Sequence, residues 1–365
     1  RTRPAAEPGA IKEVIDMMSA AERPIIFAGG GAFFSGSAPE LERFVDVTKT
    51  PFYTAPMSRG LVPEDNAVSF QGARSTAMRE ADFVLVIGTR LNWMMQYGQR
   101  FARDAKIVQI DIDGRELGHN RNIDLGIQAD AKAAMSQLLA EAEARDGEFA
   151  DRLESDWVIR LREDNDRRAE QSAPLLNSDA QPIHPLRLCK EIREFLDRDA
   201  IVSVDGNEIL HFGRQSIPTN VPGHRLNSGV TGTMGVGLPY GIGAQLAKPD
   251  AQVLVLHGDG SMGQNAMEID TAVRHNLPVV TVISNNAGWT ARTPGQRKPG
   301  RELGFTAYHK MAESLGAYGE EVTDPAEIKP ALDRAYSSGK TAVINVIVEP
   351  TAAGVSRAWG GSRME

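Results

Sequence analysis

VLVLHGDGSMGQNAMEIDTAVRHNLPVVTVISNNAGWT, residues 253–290, is the part of the sequence from which the architecture is most directly predicted. Residues 253–256 form an apolar run of buried-strand length, and a glycine turn at 258–260 ends it. Apolar residues then recur at helical spacing over 265–275, and residues 279–283 are rich in β-branched side chains. The pattern of strand, helix and strand predicts a parallel βαβ unit.

Two polar side chains follow these strands. Asp259 comes after the first strand and Asn286 after the second. Both strand ends open at the same edge of a parallel sheet, where ligands bind, so we expect the two side chains to be neighbours. Their oxygens suit Mg²⁺ holding a phosphate, while the N–H groups of Gly260 and Ser261 at the helix start receive the rest of the anion. The alternative is a glycine turn and an asparagine-rich loop that bind nothing.

Composition limits the class of protein. The chain has 365 residues, enough for two domains, and its 41% hydrophobic and 24% charged residues are typical of a soluble globular protein. A net charge of −8 argues against nucleic acid or an anionic membrane as a partner. The single cysteine, Cys189, fits a reducing compartment, and no apolar run approaches the length of a membrane span. We therefore expect a cytoplasmic protein.

Strand and helix patterns alternate on both sides of a charge-dense segment. This alternation predicts an α/β protein with two doubly wound parallel-sheet domains. We predict a Rossmann-like domain over 1–145, a linker helix over 146–180, a second domain over 181–350 and a tail or lid over 351–365.

Two glycine-rich stretches could accept a ligand. GGGAFFSG, residues 29–36, follows the first strand but does not match the dinucleotide fingerprint in register with a helix. An adenine nucleotide bound for other reasons, such as ADP or coenzyme A, and a tight turn that needs small residues both remain open. LNSGVTGTMGVGLPY, residues 226–240, indicates close approach of the backbone to a flat group.

The GDG and NN motifs resemble the thiamine-diphosphate signature, and the chain resembles the acetolactate synthase and benzoylformate decarboxylase group of thiamine enzymes. Residues 1–145 are similar to the middle domain of that group, and residues 180–350 are similar to its diphosphate-binding domain. The resemblance implies that Asp259, Asn286 and the carbonyl of Gly288 hold Mg²⁺, which holds the diphosphate. It also implies that Met234 wedges between the two cofactor rings and that the Gly232 carbonyl accepts from the 4′-amino group. The remaining candidate cofactor contacts are Asn207, Glu208, Gly258, Gly260 and Ser261.

Within this group the chain is most similar to 2-hydroxyacyl-CoA lyases, with oxalyl-CoA decarboxylase next. The similarity is carried by PMSRGLVPEDN (56–66), GARSTAMREAD (72–82), GTRLNW (88–93), QIDIDGRELG (109–118) and, loosely, the tail 348–365. It implies cleavage of a 2-hydroxyacyl-CoA to formyl-CoA plus an aldehyde or ketone, and the reverse condensation. The alternatives are a decarboxylase or carboligase of the acetolactate synthase or oxalyl-CoA type, and a non-catalytic cofactor-binding subunit.

Catalysis on such a substrate needs a base near the 2-hydroxyl group. Our candidate is Glu302, in the long loop after Asn286; the alternative is a solvated loop carboxylate. Candidate contacts to the acyl-CoA phosphates are the cations Arg74, Arg90, Arg297 and Lys298. Four histidines show no metal-binding spacing and are interpreted as structural: His184, His211, His257 and His275.

The resemblance also implies partners. In the group a pyrimidine-binding domain precedes the middle domain and carries the glutamate that bonds N1′ of the cofactor. We expect that domain in the same gene product or in a separate chain, and we expect residues 1–365 alone to be inactive. Because active sites of the group lie between subunits, a homodimer or homotetramer is expected.

Overall fold

The computed structural model describes residues 2–145, 147–296 and 299–352. They divide into two compact units. The first ends at Gln171 and also contains Thr219–Gly223, and the second comprises the rest of the chain from Ser172. The predicted linker, residues 146–180, contains a 3₁₀ turn at Ala150–Glu154 and a helix of 21 residues. That helix begins in the first unit and ends in the second.

The first unit contains one sheet of five parallel strands, in the order β2-β1-β3-β4-β5. Its strands are β1 (Pro24–Ala28), β2 (Phe52–Thr54), β3 (Phe83–Ile87), β4 (Lys106–Asp111) and β5 (Leu125–Gln128). Its helices are α1 (Pro8–Ala20), α2 (Gly30–Ser35), α3 (Ala38–Thr48), α4 (Arg74–Glu80), α5 (Ala131–Glu143) and α6 (Asp156–Leu176). All residues of β1 and β3 are buried, as expected for central strands covered by helices on both faces.

The second unit contains six parallel strands in the order β10-β11-β9-β8-β6-β7. Its strands are β6 (Ile201–Asp205), β7 (Arg225–Leu226), β8 (Val253–Gly258), β9 (Val280–Asn285), β10 (Tyr318–Val322) and β11 (Ala342–Ile347). Its helices are α7 (Pro185–Phe195), α8 (Glu208–Ser216), α9 (Gly237–Ala247), α10 (Asp259–Asn265), α11 (Glu268–Arg274), α12 (Tyr308–Ser314) and α13 (Ile328–Ser337).

Alternate residues of these strands supply two separate apolar cores. Leu254 and Leu256 of β8 pack in one cluster, and Val253 and Val255 pack in the other. Successive side chains on a strand point to opposite faces, so each face of the sheet is covered by its own layer of helices. The predicted α/β class, with two doubly wound parallel sheets, is confirmed.

The helix after β8 differs from the prediction. The segment 258–260, predicted as a turn, leads directly into helix: Gly258 is extended, and α10 begins at Asp259. The chain leaves helical hydrogen bonding at Ala266–Met267, and α11 resumes at Glu268. Apolar periodicity over 265–275 therefore located the second half of a broken helix. Asp259 lies in the first turn of the first half.

Among the described residues, no helix combines the length and apolarity needed to cross a membrane.

Candidate functional site

Asp259 lies at the junction of β8 and α10 and is 2% exposed. Its Oδ2 accepts a hydrogen bond from the Gly288 N–H at 2.8 Å, and its Oδ1 accepts one from the Gly260 N–H at 2.9 Å. Burial raises the pKa of this carboxyl to about 6, although the neighbouring N–H groups lower it. Each carboxylate oxygen has a second lone pair, so both can still bind a cation.

Asn286 follows β9, the strand that pairs with β8. Its Oδ1 also accepts from the Gly288 N–H, at 3.2 Å. Oxygens of Asp259 and Asn286 therefore converge on one peptide N–H. This confirms the predicted proximity of the two side chains, whose positions follow from the common carboxyl edge of adjacent parallel strands.

Trp289 covers this edge and was not predicted as a site residue. A Cβ atom built on Gly260 would lie 2.8 Å from the nearest indole carbon of Trp289. The ring thus occupies the space above the first turn of α10, and only glycine fits beneath it. An aromatic residue three positions after the asparagine motif was the available signal in the sequence.

The loop between β9 and α12 is a hairpin at its base. Gly288 and Glu302 form an antiparallel bridge, and the Trp289 N–H donates to the Arg301 carbonyl at 3.0 Å. Glu302 is exposed and lies opposite Gly288. The loop backbone therefore brings the candidate base next to the residues proposed to hold the metal.

Buried amides hold both ends of this loop. The Asn285 side chain is 0% exposed, accepts from the Ala287 N–H at 3.2 Å and donates to the Thr306 carbonyl at 3.1 Å. It also donates to Oδ1 of Asn345 on β11, at 3.1 Å. The first asparagine of the motif thus faces the interior, whereas Asn286 faces the Gly288 N–H.

The opposite wall of the site is formed by the residues that come directly after β6. Gly206 has a φ of 133°, and a Cβ there would lie 3.1 Å from the Gly258 nitrogen. Asn207 is exposed, and Glu208 is the first residue of α8. The walls line a narrow cleft that is partly open to solvent. The polar and glycine lining comprises Gly206, Asn207, Glu208, Gly258, Asp259, Gly260, Ser261, Ser284, Asn286 and Gly288.

Met234 also lines this space and is half-buried. Gly232, two residues earlier, has a φ of 62°, and a Cβ there would meet no atom within 4 Å. The segment 231–233 is exposed. Of the two predicted ring-binding residues, Met234 thus lines the pocket, and Gly232 lies two residues before it on an exposed segment.

Two of the candidate phosphate-binding arginines, Arg74 and Arg90, lie in the first unit. The Arg74 guanidinium donates to the Thr54 carbonyl at 2.7 Å and stacks over the Phe27 ring, 4.6 Å from its centroid. It is therefore engaged with the first sheet. Arg90 is 62% exposed and pairs with Glu116 at 3.3 Å. Arg297, Lys298 and the tail from residue 353 lie outside the described residues.

The described residues contain no group of three or more histidine, cysteine, aspartate or glutamate side chains able to hold a metal. His257 is buried, and burial lowers its pKa to about 3. His184 caps α7, its Nδ1 accepting from the Leu186 N–H at 3.1 Å. A metal at the Asp259 edge would therefore depend on one carboxylate with amide and peptide oxygens, which is a set for a hard cation.

Comparisons with known proteins identify the family. Residues 11–138 match the central domain of thiamine pyrophosphate enzymes, and residues 210–346 match their C-terminal TPP-binding domain. The chain is 33% identical to a 2-hydroxyacyl-CoA lyase of Arabidopsis thaliana, 32% to an acetolactate synthase large subunit of Mycobacterium tuberculosis and 31% to an oxalyl-CoA decarboxylase of Escherichia coli. Each match covers 94% of this chain and 62% of the relative. The chain therefore belongs to the thiamine pyrophosphate enzymes and contains their central and cofactor-binding domains.

Proposed function

We propose that this chain takes part in carbon–carbon bond cleavage of a 2-hydroxyacyl-CoA to formyl-CoA and an aldehyde or ketone, with thiamine diphosphate and Mg²⁺. The observation that carries the proposal is the convergence of the Asp259 and Asn286 oxygens on the Gly288 N–H, beside the first turn of α10. When bound, thiamine diphosphate supplies a thiazolium ring that accepts the electron pair released by carbon–carbon cleavage.

Asp259, Asn286 and the Gly288 carbonyl would hold the Mg²⁺. Carboxylate, amide and peptide oxygens are hard ligands, and Mg²⁺ completes its coordination with phosphate oxygens and water. The buried carboxylate supports this role because its charge is poorly solvated, so that a cation relieves the cost of burial.

The diphosphate would lie against the glycine-rich walls on both sides of the metal. Gly258, Gly260 and Ser261 offer close backbone approach at the start of α10, and Asn207 and Glu208 face them from the end of β6. Met234 would wedge between the two cofactor rings, and the carbonyl of Gly232, on an exposed segment, would accept from the 4′-amino group.

Glu302 would accept the proton of the substrate 2-hydroxyl group. Its position opposite Gly288 supports this role, since a base must come within hydrogen-bond reach of the reacting atom. With the pyrimidine-binding domain supplied, Glu302→Gln should lower turnover at least about 100-fold while leaving cofactor affinity unchanged. Unchanged turnover in this variant would remove Glu302 from the mechanism.

Partners and further ligands extend the proposal. An adenine nucleotide, as free ADP or as part of coenzyme A, would bind in the first unit, where exposed Arg90 is a candidate contact. A pyrimidine-binding domain and assembly into a homodimer or homotetramer would complete the active site. Cys189, the single cysteine of the sequence, is buried and supports a cytoplasmic location.

The relatives equally support two other reactions, decarboxylation of oxalyl-CoA and carboligation from 2-keto acids. Incubation of the protein, supplied with the pyrimidine-binding domain, with thiamine diphosphate, Mg²⁺ and 2-hydroxyacyl-CoA, oxalyl-CoA or pyruvate distinguishes them. Formyl-CoA with an aldehyde or ketone supports the lyase, whereas carbon dioxide from pyruvate supports the synthase-like reaction. Failure to bind thiamine diphosphate in the presence of Mg²⁺, by titration calorimetry, would contradict the whole proposal.

A further inference from the structure

Asp205 is a buried carboxylate that neither the motifs nor the proposed chemistry use. It is the last residue of β6 and is 4% exposed. Among the described residues no lysine or arginine forms an ion pair with it; its basic neighbour is the His257 ring, with Nδ1 3.8 Å from Oδ2. Because burial keeps that imidazole neutral, it does not compensate the carboxylate charge. A buried carboxylate must then be stabilised by hydrogen bonds.

The segment that precedes α9 supplies those hydrogen bonds. Oδ2 of Asp205 accepts from the Gly237 N–H at 2.8 Å. Peptide N–H groups of Gly235 and Val236, and that of Gly206, also lower its pKa, although burial raises it overall. Consecutive N–H groups of this kind form a nest that favours a negative charge at the start of a helix. Asp205 is therefore the anchor of residues 235–237.

The main chain of Asp205 contacts the other side of the pocket. The Ser261 hydroxyl lies 3.0 Å from the Asp205 carbonyl and 3.0 Å from Nδ1 of His257. Ser261 belongs to the first turn of α10, which is the candidate diphosphate-binding turn. One residue thus joins the segment 235–237 to that turn.

The contact between Asp205 and Gly237 is too close for any side chain at position 237. A Cβ there would lie 2.7 Å from Cβ of Asp205 and 2.7 Å from Cε1 of His257. The side chains of Asp205 and His257 therefore pack directly against the backbone at Gly237 and leave no space for a side chain there.

The residues before this anchor have few contacts of their own. Residues 231–233 are exposed, and Gly232 has open space around it. The other described anchor is the Asn265 side chain, which donates to the Gly235 carbonyl at 2.7 Å. Met234 directly precedes the anchored segment and lines the pocket. The backbone of Met234 thus continues directly into the segment that Asp205 and Asn265 hold.

We propose that Asp205 is a positioning residue that holds Met234 at a defined distance from the diphosphate-binding turn. The inference rests on the proposed cofactor function. It concerns the ring-binding part of the site, not the metal and diphosphate part, because Asp259, Asn286 and Gly288 form their contacts without Asp205.

The test compares two probes on the full chain, thiamine diphosphate with Mg²⁺ and inorganic pyrophosphate with Mg²⁺, by titration calorimetry. Asp205→Asn keeps the side-chain shape but removes the charge that the N–H groups favour. We expect it to weaken the binding of thiamine diphosphate about tenfold and the binding of pyrophosphate less than about twofold. Asp259→Asn, the matched control, should weaken both probes strongly.

A double-mutant cycle asks whether Asp205 acts through Met234. Met234→Ala should weaken the binding of thiamine diphosphate but not that of pyrophosphate. In the double variant, Asp205→Asn should then cause little further loss of affinity. Full additivity, equal loss of both probes, or no loss in Asp205→Asn would overturn the inference. If the parent chain binds neither probe, the proposed function itself fails. If Asp205→Asn does not fold, Asp205→Ser replaces it, since the shorter side chain fits the same space and removes the carboxylate that accepts from the Gly237 N–H, and the same outcomes apply.

Discussion

The ionised Asp259 carboxylate lowers the stability of the folded chain, but it also provides a ligand for a cation. Its folded-state pKa, about 6, lies above the ordinary value, so protonation of Asp259 favours the folded state. That stabilisation is complete below about pH 4 and is lost as the pH rises through about 6. Near neutral pH the ionised, buried carboxylate therefore reduces stability until a cation binds it.

The upward shift of the Asp259 pKa predicts opposite effects of Asp259→Asn on stability and on cofactor binding. At pH 7.5 the metal-free variant should be more stable than the parent by about 1 kcal/mol, while Mg²⁺-dependent cofactor binding is lost. Denaturant unfolding at pH 7.5 and at pH 4.5 measures the difference. It should be smaller at pH 4.5 and should vanish below about pH 4, where Asp259 is protonated in both the folded and the unfolded parent. A variant that is less stable than the parent at pH 7.5 would contradict this prediction.

The same pKa predicts the pH dependence of the parent. Mg²⁺ competes with a proton for the Asp259 carboxylate, so the affinity for thiamine diphosphate with Mg²⁺ should fall about tenfold for each pH unit below about 6. Calorimetric titrations between pH 5 and pH 8 measure this slope. A flat profile across that range would exclude Asp259 as the titrating ligand.

A substitution at Gly260 tests whether Trp289 covers the first turn of α10. An added methyl group would lie 2.8 Å from the indole, so Gly260→Ala should displace the ring and lower the free energy of unfolding by about 1–3 kcal/mol. Gly243→Ala, in α9, is the matched control: a Cβ there meets no atom within 4 Å, and alanine should raise stability by about 0.5–1 kcal/mol. Equal effects of the two substitutions would mean that Trp289 does not cover α10.

At the scale of the element, the loop from β9 to α12 depends on polar anchors because most of its described residues are exposed. Asn285 pairs with Asn345 on β11 and holds Ala287 at one end and Thr306 at the other. Asn345 also donates to the Thr306 carbonyl, at 3.3 Å. These buried amides support the backbone that presents Gly288 and Glu302.

Asn285→Ala should therefore loosen the loop. It leaves Oδ1 of Asn345 and the Ala287 N–H without their partner, so we expect a loss of about 1–3 kcal/mol in stability. Trypsin should cleave faster after Arg292 and Arg301, by limited proteolysis under native conditions. Asp270→Ala is the control, because it removes only an exposed i,i+4 pair with Arg274. Cleavage rates in the loop that match those of this control would refute the role of Asn285.

For the whole molecule, the chain forms two units with separate apolar cores, and the cofactor residues lie in the second. A ligand stabilises the part of the protein that it binds. Thiamine diphosphate with Mg²⁺ should therefore slow hydrogen exchange at residues 258–265 and 285–289 and leave β1 to β4 unchanged. Exchange measured by mass spectrometry with and without the ligands tests this. Protection confined to the first unit would contradict the assigned site.

The sequence alone determined the parallel α/β class and the meeting of Asp259 with Asn286. Both depend on local patterns: apolar runs of strand length, helical periodicity between them, and polar residues immediately after two strands that lie side by side. The edge of the sheet where these residues meet follows from chain direction, because every strand of a parallel sheet ends on the same side.

Only the tertiary structure assigned contacts to Asp205, Trp289 and Asn285. The Asn285–Asn345 pair joins residues 60 positions apart, and the Asp205 carboxylate reaches Gly237 across 32. Local periodicity does not encode such pairings, because they depend on how strands are ordered and on which groups are left to satisfy one another when water is excluded. For the same reason Arg74, a candidate phosphate ligand by residue type, is held by a carbonyl oxygen and an aromatic ring in the folded chain.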